Sequence, residues 1–263
     1  MSEATIQEYD ENLMALLEAI WGEGFMSPGG TAEVDRYLDG IDLSGKSVLD
    51  IGCGLGGVDL HLAQHHDVAR VIGIDIDQAL IQRCDQLARK YQATKQLEFR
   101  CVEPGPLPFK PASFDIVTSK DSIIHITDKQ ALSQDIFRIL EPGGWFAASD
   151  WLAGYEDQPS AEMQAYIDAE GLDFNLASET IYAEALQAAG FVDIGIVDRN
   201  DWYQQQARVE REQLAGALSE GLASKLGTDF LEHQIDIWNK MIIALDQGQL
   251  RPTHLRAHKP LSP

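Results

Sequence analysis

From Ser47 onward, short apolar runs alternate with longer stretches in which apolar residues recur every three or four positions. That is the pattern of buried strands joined by amphipathic helices. The runs are Ser47–Ile51, Arg70–Ile74, Leu97–Val102, Phe114–Thr118 and Gly144–Ser149, and the helical period occupies Leu55–Gln64, Gln78–Tyr91 and Lys129–Leu140 between them. Strands that alternate with helices predict a parallel sheet covered on both faces. Glu141-Pro-Gly-Gly144 stops the last of these helices and turns the chain into the next strand. Downstream, residues 158–190 hold two helical stretches, Phe191–Val197 and Leu250–His258 read as strands, and Gln204–Leu226 and Asp229–Asp246 read as helices. Upstream, Leu13–Ile20 has helical spacing and is broken by the turn formers of Phe25-Met-Ser-Pro-Gly-Gly30.

Composition narrows the function. Acidic residues number 42 against 20 basic ones, a formal charge of −22, which repels nucleic-acid phosphates and anionic lipid surfaces. Neither nucleic acid nor membrane is an expected partner. Cys53, Cys84 and Cys101 form no metal or disulfide spacing, and there is no apolar leader and no apolar run of about 18 residues. A reducing, cytoplasmic setting is expected.

The chemistry-bearing segment is Val48-Leu-Asp-Ile-Gly-Cys-Gly-Leu-Gly-Gly57, a glycine loop between a strand and a helix, where backbone can approach a ligand closely. Gly52, Gly54 and Gly57 satisfy the dinucleotide fingerprint, and Asp75 ends the second strand about 20 residues later, where a carboxylate can bind ribose hydroxyls. These two elements leave nicotinamide and other adenosine cofactors open. Asp50, Glu103, Ser113-Phe-Asp-Ile-Val117 and Leu140-Glu-Pro-Gly-Gly144 complete a series that resembles the class I S-adenosylmethionine-dependent methyltransferases over about residues 46–150.

The resemblance implies an α/β fold: a Rossmann-like, seven-stranded, mostly parallel sheet with helices on both faces, an N-terminal helical cap and C-terminal helices. It implies one methyltransferase domain over 1–263, with the cap at 1–40, the cofactor-binding core at 41–150, and substrate-side helices and sheet completion at 151–263. S-adenosyl-L-methionine is the implied cofactor and S-adenosyl-L-homocysteine its product. Gly52 and Gly54 would face the methionine moiety, with Asp50 beneath them, Asp75 at the ribose and Glu103 at the adenine, and Cys53, Ile76 and Lys120 are counted among the cofactor-binding residues.

A narrower resemblance is carried by Tyr9, Trp21-Gly-Glu-Gly-Phe-Met-Ser-Pro-Gly-Gly30 and Ser119-Lys-Asp-Ser-Ile-Ile-His-Ile-Thr-Asp-Lys129, which look like the phosphoethanolamine N-methyltransferases from about Tyr9 to Phe191. By that resemblance Tyr9 and His125 form a catalytic pair and Asp121 holds the amine. Met26 and Ser27 close over the cofactor, and Lys120 stands where the family usually has Arg. The family's phosphate ligands are not reproduced: with Tyr166 aligned to one of its tyrosines, Trp151, Glu170 and Leu172 fall at other ligand positions. A carboxylate at Glu170 opposes phosphate, and Lys240, Arg251 and Arg256 are the available compensating cations.

The expected activity is therefore methylation of a small amine with an altered anion end, by a monomer or homodimer. The alternatives are an O- or C-methyltransferase, a nicotinamide oxidoreductase and a non-catalytic adenosyl-binding module. No metal is expected. His61 and His65 share one helix face without a third ligand in sequence and are expected to be exposed. Trp202, Tyr203, Trp238 and Ile242 are expected to be packing residues of the C-terminal helices.

Overall fold

The computed structural model describes residues 10–171 and 174–261. Two helices open the chain, α1 (Glu11–Trp21) and α2 (Gly30–Leu38), followed by β1 (Ser47–Ile51), α3 (Gly57–His65), β2 (Arg70–Asp75), α4 (Gln78–Lys90), β3 (Leu97–Cys101) and β4 (Phe114–Lys120). After a 3-10 turn at Ile123–His125 come α5 (Lys129–Ile139), β5 (Leu140–Ala153), α6 (Ala161–Glu170), α7 (Glu179–Ala189) and β6 (Val192–Asp198). The chain then runs through α8 (Asn200–Ala215), α9 (Ser219–Leu226), α10 (Thr228–Asp246) and β7 (Leu250–His258). Local side chains set several of these starts: Asp10, Asp77, Asp128, Ser160 and Ser178 each accept a backbone N–H in the first turn of α1, α4, α5, α6 and α7.

The seven strands form one sheet in the order β3-β2-β1-β4-β5-β7-β6, all parallel except β7, which runs antiparallel to both neighbours. Alternation along β1 divides the core. Leu49 and Ile51 join α5 and α7 on one face, whereas Val48 packs with α2, α3 and α4 on the other. A third apolar cluster, built from α1, α6, α8 and α10, stands over the carboxyl end of the sheet. Among the described residues no helix is long and apolar enough to cross a membrane.

The departures from the pattern reading are local. Glu141-Pro-Gly-Gly144 does not precede β5 but lies within it, taken up by a register shift opposite Phe114 and Ile116, with Gly143 at φ 83°. The expected helix over 204–226 starts earlier, at Asn200, and breaks at Gly216, where a Cβ would meet the Glu212 carbonyl at 2.9 Å. A glycine there removes the side chain that helical packing would reward, so the interruption costs little.

Candidate active site

Strand order reverses between β1 and β4, and ligands of open α/β sheets bind at such a point beyond the carboxyl ends of the strands. Here β1 delivers the glycine loop and β4 delivers Lys120 and Asp121. Gly52 has φ 71°, and a Cβ on it would lie 1.7 Å from Ser122 Oγ, so only glycine lets the two strand ends meet. The third glycine of the fingerprint serves packing: Gly57 N–H donates to the Gly24 carbonyl at 3.0 Å, and a Cβ on Gly57 would clash with the Gly24 carbonyl oxygen at 2.6 Å. The loop is thereby joined to the segment between α1 and α2.

A cavity of about 1350 Å³ opens at this crevice. Asp50, Gly52, Cys53, Gly54, Asp75 and Ile76 line one side of it, Glu103 the far end, and Met26 and Ser27 the cap side. Asp75 is fixed by backbone N–H groups of Gly54 and Asp77, both at 3.0 Å, and burial raises its pKa. Ile76 is 63% exposed at the lip, an apolar side chain that a flat aromatic ring would cover. Asp50 is buried beneath the loop beside Asp59, and burial raises both pKa values, Asp59 to about 7. Cys53 is buried, its Sγ 4.0 Å from that of Cys84.

A second, smaller pocket of about 80 Å³ adjoins the first. Met26, Ser27, Asp121 and His125 line both, which puts Asp121 and His125 at the junction. The Asp121 side chain is 5% exposed and accepts from Lys120 Nζ at 2.7 Å and Ser149 Oγ at 2.8 Å. Its backbone is left-handed, φ 56°, which a non-glycine residue adopts only when its surroundings hold it there. Lys120 spends its other two protons on Ser27 Oγ and the Pro28 carbonyl, both at 2.8 Å, so one ammonium binds the cap segment to the end of β4. Three acceptors in three directions suit a lysine better than a planar guanidinium.

The turn that carries His125 rests on buried ionisable groups. Asp150 accepts the Ile124 N–H at 3.1 Å and the Tyr182 hydroxyl, while Lys129 Nζ donates to the carbonyls of Ile123 (2.7 Å) and Ile126 (2.5 Å). Burial pushes Asp150 up to about 7 and Lys129 down to about 8. Lys129→Met would leave those carbonyls and Asp150 without their cation. It is expected to cost about 3 kcal/mol in denaturant unfolding, the range for breaking a buried charge network, and to lower turnover through displacement of His125 with little change in cofactor affinity.

Aromatic rings wall the smaller pocket: Trp21, Trp151, Tyr166, Phe174, Tyr203 and Trp238. Beneath them, buried Glu210 accepts from Trp21 Nε1 (2.8 Å), Tyr203 Oη (3.0 Å) and Trp238 Nε1 (3.3 Å), and so fixes three of the rings at once. Glu170 faces the same pocket from the last turn of α6, and its carboxyl forms no hydrogen bond or ion pair among the described residues. Burial raises its pKa to about 7. No lysine or arginine lines the pocket among the described residues.

The described cofactor and catalytic candidates from the sequence thus border one or both cavities, and Trp151, Tyr166 and Glu170 border the smaller one; Tyr9, and with it the expected Tyr–His pair, lies outside the described residues, as does Leu172. The compensating cations are elsewhere: Lys240 pairs with Asp236, Arg251 with Asp198 at 2.9 Å, and Arg256 bonds the Tyr37 and Asp39 carbonyls. Tyr203 and Trp238, expected to be packing residues only, are also pocket walls. Glu210 carried no local signal at all, since its partners come from three helices. His61 is buried rather than exposed, because α2 covers that face of α3.

Residues 49–148 match the family described as Methyltransferase domain. The phosphoethanolamine N-methyltransferase of Triticum aestivum is 32% identical over 235 residues, covering 89% of this chain and 45% of its own length. That of Plasmodium falciparum is 27% identical, over 79% of this chain and 77% of its own. Phosphoethanolamine N-methyltransferase 2 of Haemonchus contortus, solved with phosphomonomethylethanolamine and S-adenosylhomocysteine, superposes with a TM-score of 0.89 at 24% identity, over 97% of this chain and 59% of that one, a likeness of fold. The chain spans under half the length of the plant relatives it matches.

Proposed function

The chain carries a class I S-adenosylmethionine-dependent methyltransferase domain close to the phosphoethanolamine N-methyltransferase-like family, and from that premise we propose that it methylates the nitrogen of a small amine that bears no phosphate. The observation that carries the reading is the junction: Asp121 and His125 border both the large cavity and the aromatic pocket.

The large cavity suits the cofactor. Its glycine loop admits close backbone approach, Asp75 retains lone pairs for ribose hydroxyls, and Ile76 offers an apolar face to adenine. S-adenosylmethionine supplies a methyl group already activated on a sulfonium, so positioning provides most of the acceleration. Asp121 would draw the acceptor's ammonium to the junction, and His125 would take the proton that frees its lone pair. The cap segment, held by Lys120 to Ser27 and Pro28, would exclude water from the meeting point.

The far end of the pocket supports an unphosphorylated acceptor. Aromatic faces attract cations and methylated ammonium groups, and the Glu170 carboxyl adds an acceptor where the relatives' resemblance places phosphate ligands. The test is a mass-spectrometric assay with S-adenosylmethionine and a panel of phosphoethanolamine, its methylated forms, ethanolamine, glycine, sarcosine and dimethylglycine. Products from the unphosphorylated members alone are expected; turnover of phosphoethanolamine at a comparable rate would refute the altered anion end.

A further inference from the structure

A cluster toward the carboxyl-terminal end of α3 lines neither cavity. Asp35 of α2, His61 of α3 and His66, which caps the end of α3, converge on one point. His61 Nε2 lies 2.6 Å and His66 Nε2 2.8 Å from the same carboxylate oxygen, Asp35 Oδ1, and the two nitrogens are 3.4 Å apart. Two imidazoles that needed only hydrogen bonds could divide themselves between both carboxylate oxygens; these gather on one. We propose that Asp35, His61 and His66 form a binding site for a divalent first-row transition metal of the zinc class.

Geometry and chemistry agree on this assignment. The three ligand atoms define a triangle with a circumradius of about 1.7 Å, so a point about 2.0–2.1 Å from each, the zinc–nitrogen and zinc–oxygen distance, lies about 1 Å out of their plane. Widening the 2.6 and 2.8 Å separations to the roughly 3.3 Å between tetrahedral ligands takes a shift of about 0.6 Å in the half-exposed Asp35 carboxylate. Two imidazoles and one carboxylate suit zinc, cobalt, nickel or copper, whereas magnesium and calcium take oxygen ligands. The site also lies at the carboxyl-terminal end of α3, where the helix dipole favours a cation.

The ring of His65 packs 4.9 Å from that of His61, and its Nδ1 lies 3.2 Å from the His61 carbonyl, so the neighbour that sequence spacing singled out supports the ligand instead of joining it. A metal here would bolt α2 to α3. Those helices follow the cap segment and the glycine loop respectively, which meet at Gly24 and Gly57, so the ion would secure the two chain segments that flank the cofactor cavity.

The test uses the full chain without a polyhistidine tag, stripped with a chelator and titrated with cobalt(II) while visible absorption is recorded. One equivalent is expected to saturate the spectrum in the unaltered protein and in the control His233→Ala, an exposed histidine on α10, and the bands are expected to vanish in His66→Ala and in Asp35→Asn. Zinc at about 100 times its Kd is expected to raise the Tm by about 5 °C in the unaltered protein and in His233→Ala, and not in His66→Ala or Asp35→Asn. Asp35 is 51% exposed on its side chain and His66 only partly buried, so both variants are expected to fold. Cobalt uptake that is identical in His66→Ala, or a zinc-independent Tm, would overturn the site whatever the methyl acceptor proves to be.

Discussion

Replacing Asp121 by Asn is expected to lower kcat/KM for the amine acceptor by at least about 100-fold while leaving the Kd for S-adenosylhomocysteine within about threefold. The choice of Asn isolates the charge. Asp121 sits at φ 56°, and Asn is among the few residues that tolerate that region without a large penalty, so the backbone stays in place. Its amide oxygen still accepts from Lys120 Nζ, and its amide nitrogen can donate to Ser149 Oγ once that hydroxyl rotates. What disappears is the negative charge at the junction, and with it the attraction for an ammonium. His125→Gln should lose about 10²- to 10⁴-fold in kcat, the span of general base catalysis. An enzyme acting on carbon would have no need of the Asp121 charge, so full activity in Asp121→Asn would shift the assignment to that chemistry.

The residues that proved legible in the sequence share one property: their partners are close in the chain or their spacing is fixed by the sheet. Gly52 to Gly57 lie in one short segment, and Asp75, Glu103 and Asp121 lie at or just beyond the ends of strands whose apolar runs could be read directly. Topology then brings the strand ends together without further instruction. Glu210, Tyr203 and Trp238 are different. On a helix, an aromatic residue that walls a ligand pocket and one that packs against a neighbour have the same period, so α8 and α10 read as packing helices. Only the meeting of Trp21, Tyr203 and Trp238 over one carboxylate separates the two meanings. The Asp35–His61–His66 cluster failed for a related reason: its ligands come from two helices that nothing in either helix pairs in advance.

Lys129 shows a third kind of concealment. A lysine at the start of a helix reads as a solvated charge, yet here it is buried under the turn that carries His125, with backbone carbonyls for partners. Carbonyls leave no trace in a sequence. The geometry of the junction therefore depends on residues such as Lys129, Asp150 and Tyr182 whose role becomes visible only when the end of β5 is placed beside the 3-10 turn.

On the proposed reading, in which the smaller pocket holds the acceptor, Glu170 sets the charge at its far end, and the expected signature of Glu170→Gln is a change of selectivity with charge. At an effective dielectric of about 20, an ionised Glu170 and a dianion about 6 Å apart would repel by about 5 kcal/mol, so a phosphate binds there only with the carboxyl protonated, at a cost that grows tenfold for each pH unit above about 7. At pH 9 the unaltered protein should therefore prefer ethanolamine over phosphoethanolamine by about 100-fold in kcat/KM, and Glu170→Gln should reduce that preference by tenfold or more. Acidity offers an independent check. Asp121, His125, Tyr166, Tyr203 and Gln234 line the pocket with Glu170, no lysine or arginine among them, and burial raises the carboxyl from 4.5 to about 7. A raised carboxylate pKa means that the folded protein without ligand holds a proton the unfolded chain has released; its stability falls as pH rises from about 4.5 to 7, by up to about 3 kcal/mol, and then levels. Glu170→Gln should remove that decline from denaturant titrations. Binding runs the other way, because a cation prefers the ionised form: the Kd of tetramethylammonium, measured by calorimetry with S-adenosylhomocysteine present, should tighten about tenfold between pH 6 and pH 8 in the unaltered protein and stay constant in the variant. Equal affinity at both pH values in both proteins would place the cation elsewhere and return the far end of the pocket to an uncharged group.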